Sequence, residues 1–230
     1  MDLKLLNIFK DLGIIIAAFL AGAIPFCFIL GKMVGGKRLT EIGDKNPGGW
    51  NLVFNVSKIW GVLGMFLDIA KGYFAYFLAL KFSGPFSIQI LGTDYNMFIA
   101  AIAGCASVAG HNYSPFMKFN GGKGLAAWGG FVLAANPYVV IPAAAGFLSG
   151  IFIARNMIWS VMLAVAFSGI FLSMFSNYWT FAFSPVFLLT IALLFAIMLP
   201  RQINKNNSLG INFKFRKEAT VGDLFKPKIR

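Results

Sequence analysis

Apolar residues gather in long uninterrupted runs, near 12–34, 57–82, 96–112, 124–136, 138–154, 157–176 and 180–199, with shorter polar and glycine-rich connections between them. A run of about 20 apolar residues can cross a hydrocarbon layer roughly 30 Å thick, where only helices and closed barrels satisfy the backbone. These runs lack the alternation of barrel strands. The pattern therefore predicts an all-α integral membrane protein, a compact bundle of about seven transmembrane helices. The third and fourth segments are short, as partial spans are when irregular backbone beside them lines a polar cavity. No internal repeat or soluble domain interrupts the chain, so we read 1–200 as one transmembrane domain and 201–230 as a basic tail.

Composition agrees: 58% of the 230 residues are hydrophobic and 12% charged, and the mean hydropathy of +0.75 is far from that of a soluble domain. The net charge of +12 could suit nucleic acid, but the basic residues lie in connections and tail rather than on one soluble face, which points to membrane topology and away from nucleic acid. Lys32, Lys37, Arg38, Lys45 and Lys58 crowd the first connection, whereas 83–95 has no basic residue. That places the first connection in the cytoplasm, with Lys118, Lys123, Arg155 and the tail on the same side of a multi-pass cell-membrane protein. Lys4 and Lys10 then face outward, beside Asp2 and Asp11. Ala21 to Pro25 imitates a signal-peptide end, but we expect the segment to be retained. In the tail, Ile211, Phe213 and Phe215 alternate with Asn212, Lys214 and Arg216, a pattern suited to anionic lipid headgroups. Cys27 and Cys105 sit in separate apolar runs and predict no disulfide. One histidine and scattered acids give no metal-ligand spacing, so neither metal nor cofactor is expected.

The connection Gly110-His111-Asn112-Tyr113-Ser114-Pro115-Phe116-Met117-Lys118-Phe119-Asn120-Gly121-Gly122-Lys123-Gly124 carries the densest chemistry. Gly121, Gly122 and Gly124 allow successive amides to turn toward one anion, and Lys123 adds a full charge. A short helix beginning after Lys123 would aim its N-terminal amides at the same place. The spacing is not that of a nucleotide-binding P-loop. A second polar stretch, Gly43-Asp44-Lys45-Asn46-Pro47-Gly48-Gly49-Trp50-Asn51, offers amides, Lys45, Asn46 and Asn51 to phosphate or hydroxyl groups, although Asn-Pro-Gly-Gly is equally a turn signal. Asp68 and Lys71 lie deep in an apolar run at i,i+3, where ionisable groups face a bundle interior and can satisfy each other.

These segments together resemble the membrane acyl-phosphate:glycerol-3-phosphate acyltransferases, the PlsY family, over nearly the whole chain. The family order G-S-I-P, G-S-G-N-x-G-A-T-N, D-x-x-K-G, G-H and F-K-G-G-K-G-V-A-T is met by Gly22-Ala23-Ile24-Pro25, the stretch from Gly43 to Asn51, Asp68 to Gly72, Gly110-His111, and Phe119 to Ala127. The resemblance implies transfer of a fatty acyl group from acyl phosphate to the 1-hydroxyl of glycerol 3-phosphate, or a related polyol phosphate, giving lysophosphatidic acid in phospholipid synthesis. No acyl-CoA is required. Lys123 would hold a substrate phosphate and offset developing charge, nearby glycine amides would act as oxyanion donors, and His111 is a second catalytic candidate. Substrate-binding residues would be Arg38, Gly43, Lys45, Asn46, Gly48, Asn51, Asp68, Lys71, Gly121, Gly122, Gly124 and Arg201.

The chain departs from that pattern at Ala23, Thr40, Asp44, Lys45, Gly49, Trp50, Ala127 and Pro200. Asp44 would repel a phosphate unless Lys45 or Arg38 compensates. Two further readings follow, a relative that binds lipid phosphate or acyl phosphate without turnover, and an anion carrier built on the short spans.

Overall fold

The computed structural model describes residues 2–153, 157–175 and 184–207. Nine helices follow in these residues: α1 (Leu3–Ala23), α2 (Phe26–Gly35), α3 (Gly49–Asn55), α4 (Lys58–Phe82), α5 (Tyr95–Asn112), α6 (Leu125–Ala135), α7 (Val140–Phe152), α8 (Met157–Met174) and α9 (Pro185–Asn207). Among the described residues, each predicted apolar run contains a helix. Leu3–Gly35, Lys58–Phe82 and Pro185–Ile203 are long and apolar enough to cross a membrane, and Leu125–Ala135, Pro137–Phe152 and Ile158–Met174 are shorter apolar helices. The one sheet among the described residues is a hairpin, β1 (Gln89–Ile90) with β2 (Thr93–Asp94), in antiparallel register with Gln89 opposite Asp94. Arg155 and the residues from 208 onward, including most of the predicted basic tail, lie outside the described residues.

Two expectations need correction. The first apolar segment starts at Leu3, where Asp2 accepts a hydrogen bond from the Lys4 amide, and it is broken at Ile24-Pro25 into α1 and α2. Proline removes an amide and disrupts the ladder behind it, so carbonyls near the break need other donors. Ser114 Oγ donates to the Ala23 carbonyl at 2.6 Å, and Lys71 Nζ to the Ile24 carbonyl at 3.1 Å. Within the stretch read as a turn, the chain enters a seven-residue helix at Gly49. The hydropathy pattern could not reveal α3, because its inward face is formed by Asn51 and Leu52 while Trp50 and Phe54 are exposed.

The centre of the bundle is α5, which packs against α1, α4, α6 and α9, while α7 pairs with α8 and α8 with α9. Its inward residues, Ala100, Ala101, Ala103, Gly104, Ser107 and Val108, are small, so neighbouring backbones come close. A Cβ on Gly22 or Gly110 would strike the backbone of Ser107 or Phe19 across the α1–α5 contact, and one on Gly72 or Gly130 that of Ala127 or Ile69 across α4–α6. At the end of the bundle away from the basic connections, buried Asp11 accepts hydrogen bonds from the Gly84 amide at 2.8 Å and Tyr95 Oη at 2.7 Å. At the other end α9 continues past Pro200 to Asn207, and Arg201 is buried.

Candidate active site

The α1–α2 break, the middle of α4, the end of α5 and the connection after α5 meet at one small polar cavity. Its walls are Ala23, Ile24 and Pro25, Pro47, Asp68 and Lys71, His111, and Gly121 with Gly122. Asp68 is its electrostatic hub. One carboxylate oxygen lies 2.9 Å from Lys71 Nζ and 3.6 Å from His111 Nδ1, and the other accepts the Cys27 thiol at 3.1 Å. Lys71 also sits 5.9 Å from the centre of the Phe26 ring. Residues far apart in sequence thus share one buried charge cluster, and the expected i,i+3 pair is real.

The glycine connection closes over this cluster. The Gly121 and Gly122 amides donate to the Asn112 and His111 carbonyls at 3.2 and 2.9 Å, folding the chain back onto the end of α5. Glycine is required there: a Cβ on Gly121 would strike the His111 carbonyl, and one on Gly122 the imidazole Nε2. Gly124, at φ +86°, is the N-cap of α6, so that helix does begin directly after Lys123. Lys123 is turned toward the first connection, with Nζ 3.8 Å from Asp44 Oδ2 and 21% of its side chain exposed. Burial presses its ammonium below the ordinary lysine range, and the Asp44 carboxylate opposes that shift.

The first connection is held from inside by Asn51. Its Nδ2 lies 2.8 Å from the Leu39 carbonyl, 3.0 Å from that of Ile42 and 2.9 Å from that of Asn46, and Asn55 Nδ2 donates to its Oδ1 at 2.8 Å. Gly43, at φ +54°, packs on Asn51 and Asn55, and Gly48 on the Asn46 amide group. Asn46 is buried, and its Oδ1 has no hydrogen-bond partner among the described residues. Asn51→Ala leaves three buried or half-buried carbonyls without this donor. We expect it to cost about 1–3 kcal/mol, read as a lower melting temperature of the purified protein.

Not every predicted binding residue reaches the cavity. Arg38 points outward, 62% exposed and 3.2 Å from Glu41, and Lys45 is exposed on the first connection at φ +53°. Arg201 is buried but faces the back of the glycine connection. Its Nε donates to the Asn112 carbonyl at 2.8 Å, and its Nη2 to the Phe119 and Gly121 carbonyls at 3.1 and 3.2 Å and to Asn120 Oδ1 at 3.2 Å. Sequence reasoning passed over Cys27 and Ser114, which join the site through hydrogen bonds to Asp68 and to the helix break. Their one available signal was proximity to the Ile24-Pro25 and Ser114-Pro115 steps.

Comparison with known proteins places this constellation in a family. The sequence profile described as glycerol-3-phosphate acyltransferase matches residues 12–207. The glycerol-3-phosphate acyltransferase of Thermosipho melanesiensis is 33% identical over 157 residues, 68% of this chain and 72% of the relative. That of Dinoroseobacter shibae is 35% identical over 156 residues, 68% of this chain and 71% of the relative. Among solved structures, the glycerol 3-phosphate form of PlsY (YgiH), an integral membrane glycerol 3-phosphate acyltransferase, superposes with a TM-score of 0.71 at 28% identity, over 94% of this chain and all of that one. A lysophosphatidic acid form of the same enzyme superposes with a TM-score of 0.69. The bundle, the order of its motifs and these relatives agree, and this chain is a membrane enzyme of the glycerol-3-phosphate acyltransferase family.

Proposed function

We propose that this protein transfers a fatty acyl group from acyl phosphate to the 1-hydroxyl of glycerol 3-phosphate, yielding lysophosphatidic acid and inorganic phosphate. The observation that carries this reading is the closure of the Gly121-Gly122-Lys123 connection over the Asp68–Lys71–His111 cluster at a broken helix. The hydroxyl oxygen attacks the acyl carbonyl carbon, an ester C–O bond forms, and the bond between that carbon and the bridging phosphate oxygen breaks. The departing phosphate takes the hydroxyl proton. Lys123 neutralises phosphate charge and offsets the developing oxyanion, whereas the Gly121 and Gly122 amides, already bonded to the Asn112 and His111 carbonyls, hold the connection in place rather than serving as the expected oxyanion donors. His111, anchored by Asp68, orients the attacking hydroxyl, and two substrates held together gain most of their rate from proximity. The unpartnered Asn46 Oδ1 suits a hydroxyl of the acceptor. Lys71, Asp68, Gly43, Gly48 and Asn51 shape the site, and Arg201 positions its glycine connection.

The excess of basic residues in the connections around this site supports a cytoplasmic face, with glycerol 3-phosphate drawn from the cytoplasm and acyl phosphate from the membrane.

The test is product analysis of the purified protein with labelled acyl phosphate and a panel of polyol phosphates. We expect labelled lysophosphatidic acid from the wild type, and a rate lowered about a hundredfold in Lys123→Ala, as for loss of one transition-state charge donor. Failure of the folded wild type to acylate any polyol phosphate would overturn the proposal.

A further inference from the structure

The cavity beside the reactive cluster measures only about 10 Å³, room for about one water molecule. A phosphate group is larger than this space. Those two connections carry residues that line the cavity, Pro47 from the first and Gly121 and Gly122 from the second. The charge contact between Lys123 Nζ and Asp44 Oδ2, at 3.8 Å, runs from one to the other.

Asp44 is fixed where it stands. Its Oδ1 accepts the Asn46 amide at 3.1 Å, and the Asn46 carbonyl is in turn held by Asn51 at 2.9 Å. Gly43 and Lys45 on either side adopt positive φ, which makes the turn tight. The carboxylate is 30% exposed and the lysine 21%, so an anion arriving from solvent meets both. It must take the lysine from a tethered carboxylate and then sit beside a like charge.

We propose that Asp44 is a specificity-determining residue that competes with a substrate phosphate for Lys123, fastening the two connections together until the phosphate displaces it. This rests on the acyltransferase reading for the identity of the reactants, but the competition itself concerns any phosphate dianion. The consequence is a raised KM for whichever substrate phosphate seats at Lys123, together with weak retention of product phosphate.

The experiment compares wild type, Asp44→Asn and Asp44→Ser, each checked for an unchanged melting temperature. Binding of inorganic phosphate is measured by calorimetry, and KM and kcat are measured separately for glycerol 3-phosphate and acyl phosphate. Phosphate affinity should rise about tenfold in both variants, the lower range for a partly exposed charge contact. KM should fall by a similar factor for one substrate only, which identifies whose phosphate Lys123 holds. In a Lys123→Ala background the Asp44 replacements should change phosphate affinity less than twofold. Unchanged or weaker phosphate binding in both folded variants would overturn the proposal, as would an equal gain in the absence of Lys123. Tighter phosphate binding in a protein that acylates no acceptor would uphold the competition while overturning the acyltransferase reading.

Discussion

Asp68→Ala is expected to lower stability by about 3–5 kcal/mol, the usual consequence of stranding one member of a buried ion pair. Both side chains of the pair are nearly inaccessible, Lys71 at 4% and Asp68 at 3%, and they lie within α4, where an uncompensated ammonium meets little water. The same carboxylate also holds the Cys27 thiol and faces His111, so its loss loosens α2 and α5 as well as α4. Thermal unfolding of the purified protein measures the effect, and acyl transfer should fall with it. The double replacement Asp68→Ala with Lys71→Met separates the causes. It removes both charges, so most of the stability should return, whereas activity should not if the charges serve the reaction. A single Asp68→Ala variant as stable and active as the wild type would rule out the buried hub.

Arg201→Ala is expected to reduce kcat/KM about a hundredfold without touching a substrate, because it releases the glycine connection from behind. The guanidinium spans the Asn112, Phe119 and Gly121 carbonyls and Asn120, with the Tyr113 ring 5.3 Å away. Truncating a buried charged donor that satisfies several acceptors costs about 1.5–3 kcal/mol per lost charged hydrogen bond, partly recovered by relaxation. The connection would then be held against the end of α5 by the Gly121 and Gly122 amides without the guanidinium brace, and misplacement by about 1 Å is enough to lose a hundredfold in rate. Amide exchange across 119–122 should accelerate in this variant. Arg201→Lys should rescue little, since one ammonium cannot reproduce a planar fork that reaches separated acceptors. Normal exchange protection in an inactive Arg201→Ala protein would refute the positioning role.

The two cases show why some of the site could be read from the chain and some could not. Asp68 and Lys71 announce themselves, because ionisable groups in an apolar run violate the pattern that makes the run a span. The Gly121-Gly122-Lys123-Gly124 connection is visible only as part of the motif order, since glycine and lysine at a span boundary by themselves more often make a plain turn. Arg201 is visible as a residue, but its direction is not. One turn of α9 decides whether the guanidinium reaches a substrate or the back of a connection 80 residues earlier, and hydropathy contains no information about that rotation. Arg38 fails for a related reason: its neighbour Glu41 supplies a partner at i,i+3, and the pair stays outside.

By itself the sequence determined the solvent of this protein and the rough course of its chain. Apolar runs too long and too uniform for a soluble core can be satisfied only as helices in lipid, and basic connections fix which ends of them lie together. Its motifs also determined the family. Tertiary structure alone decided that the first run breaks at Pro25, that α3 exists, and that Lys123 meets Asp44 rather than Asp68. The physical reason is range. Hydropathy and local propensity sum over neighbours in sequence, whereas the asparagine on the inner face of α3 is held by the Leu39 carbonyl 12 residues before it and the helix break by Lys71, 47 residues after Ile24.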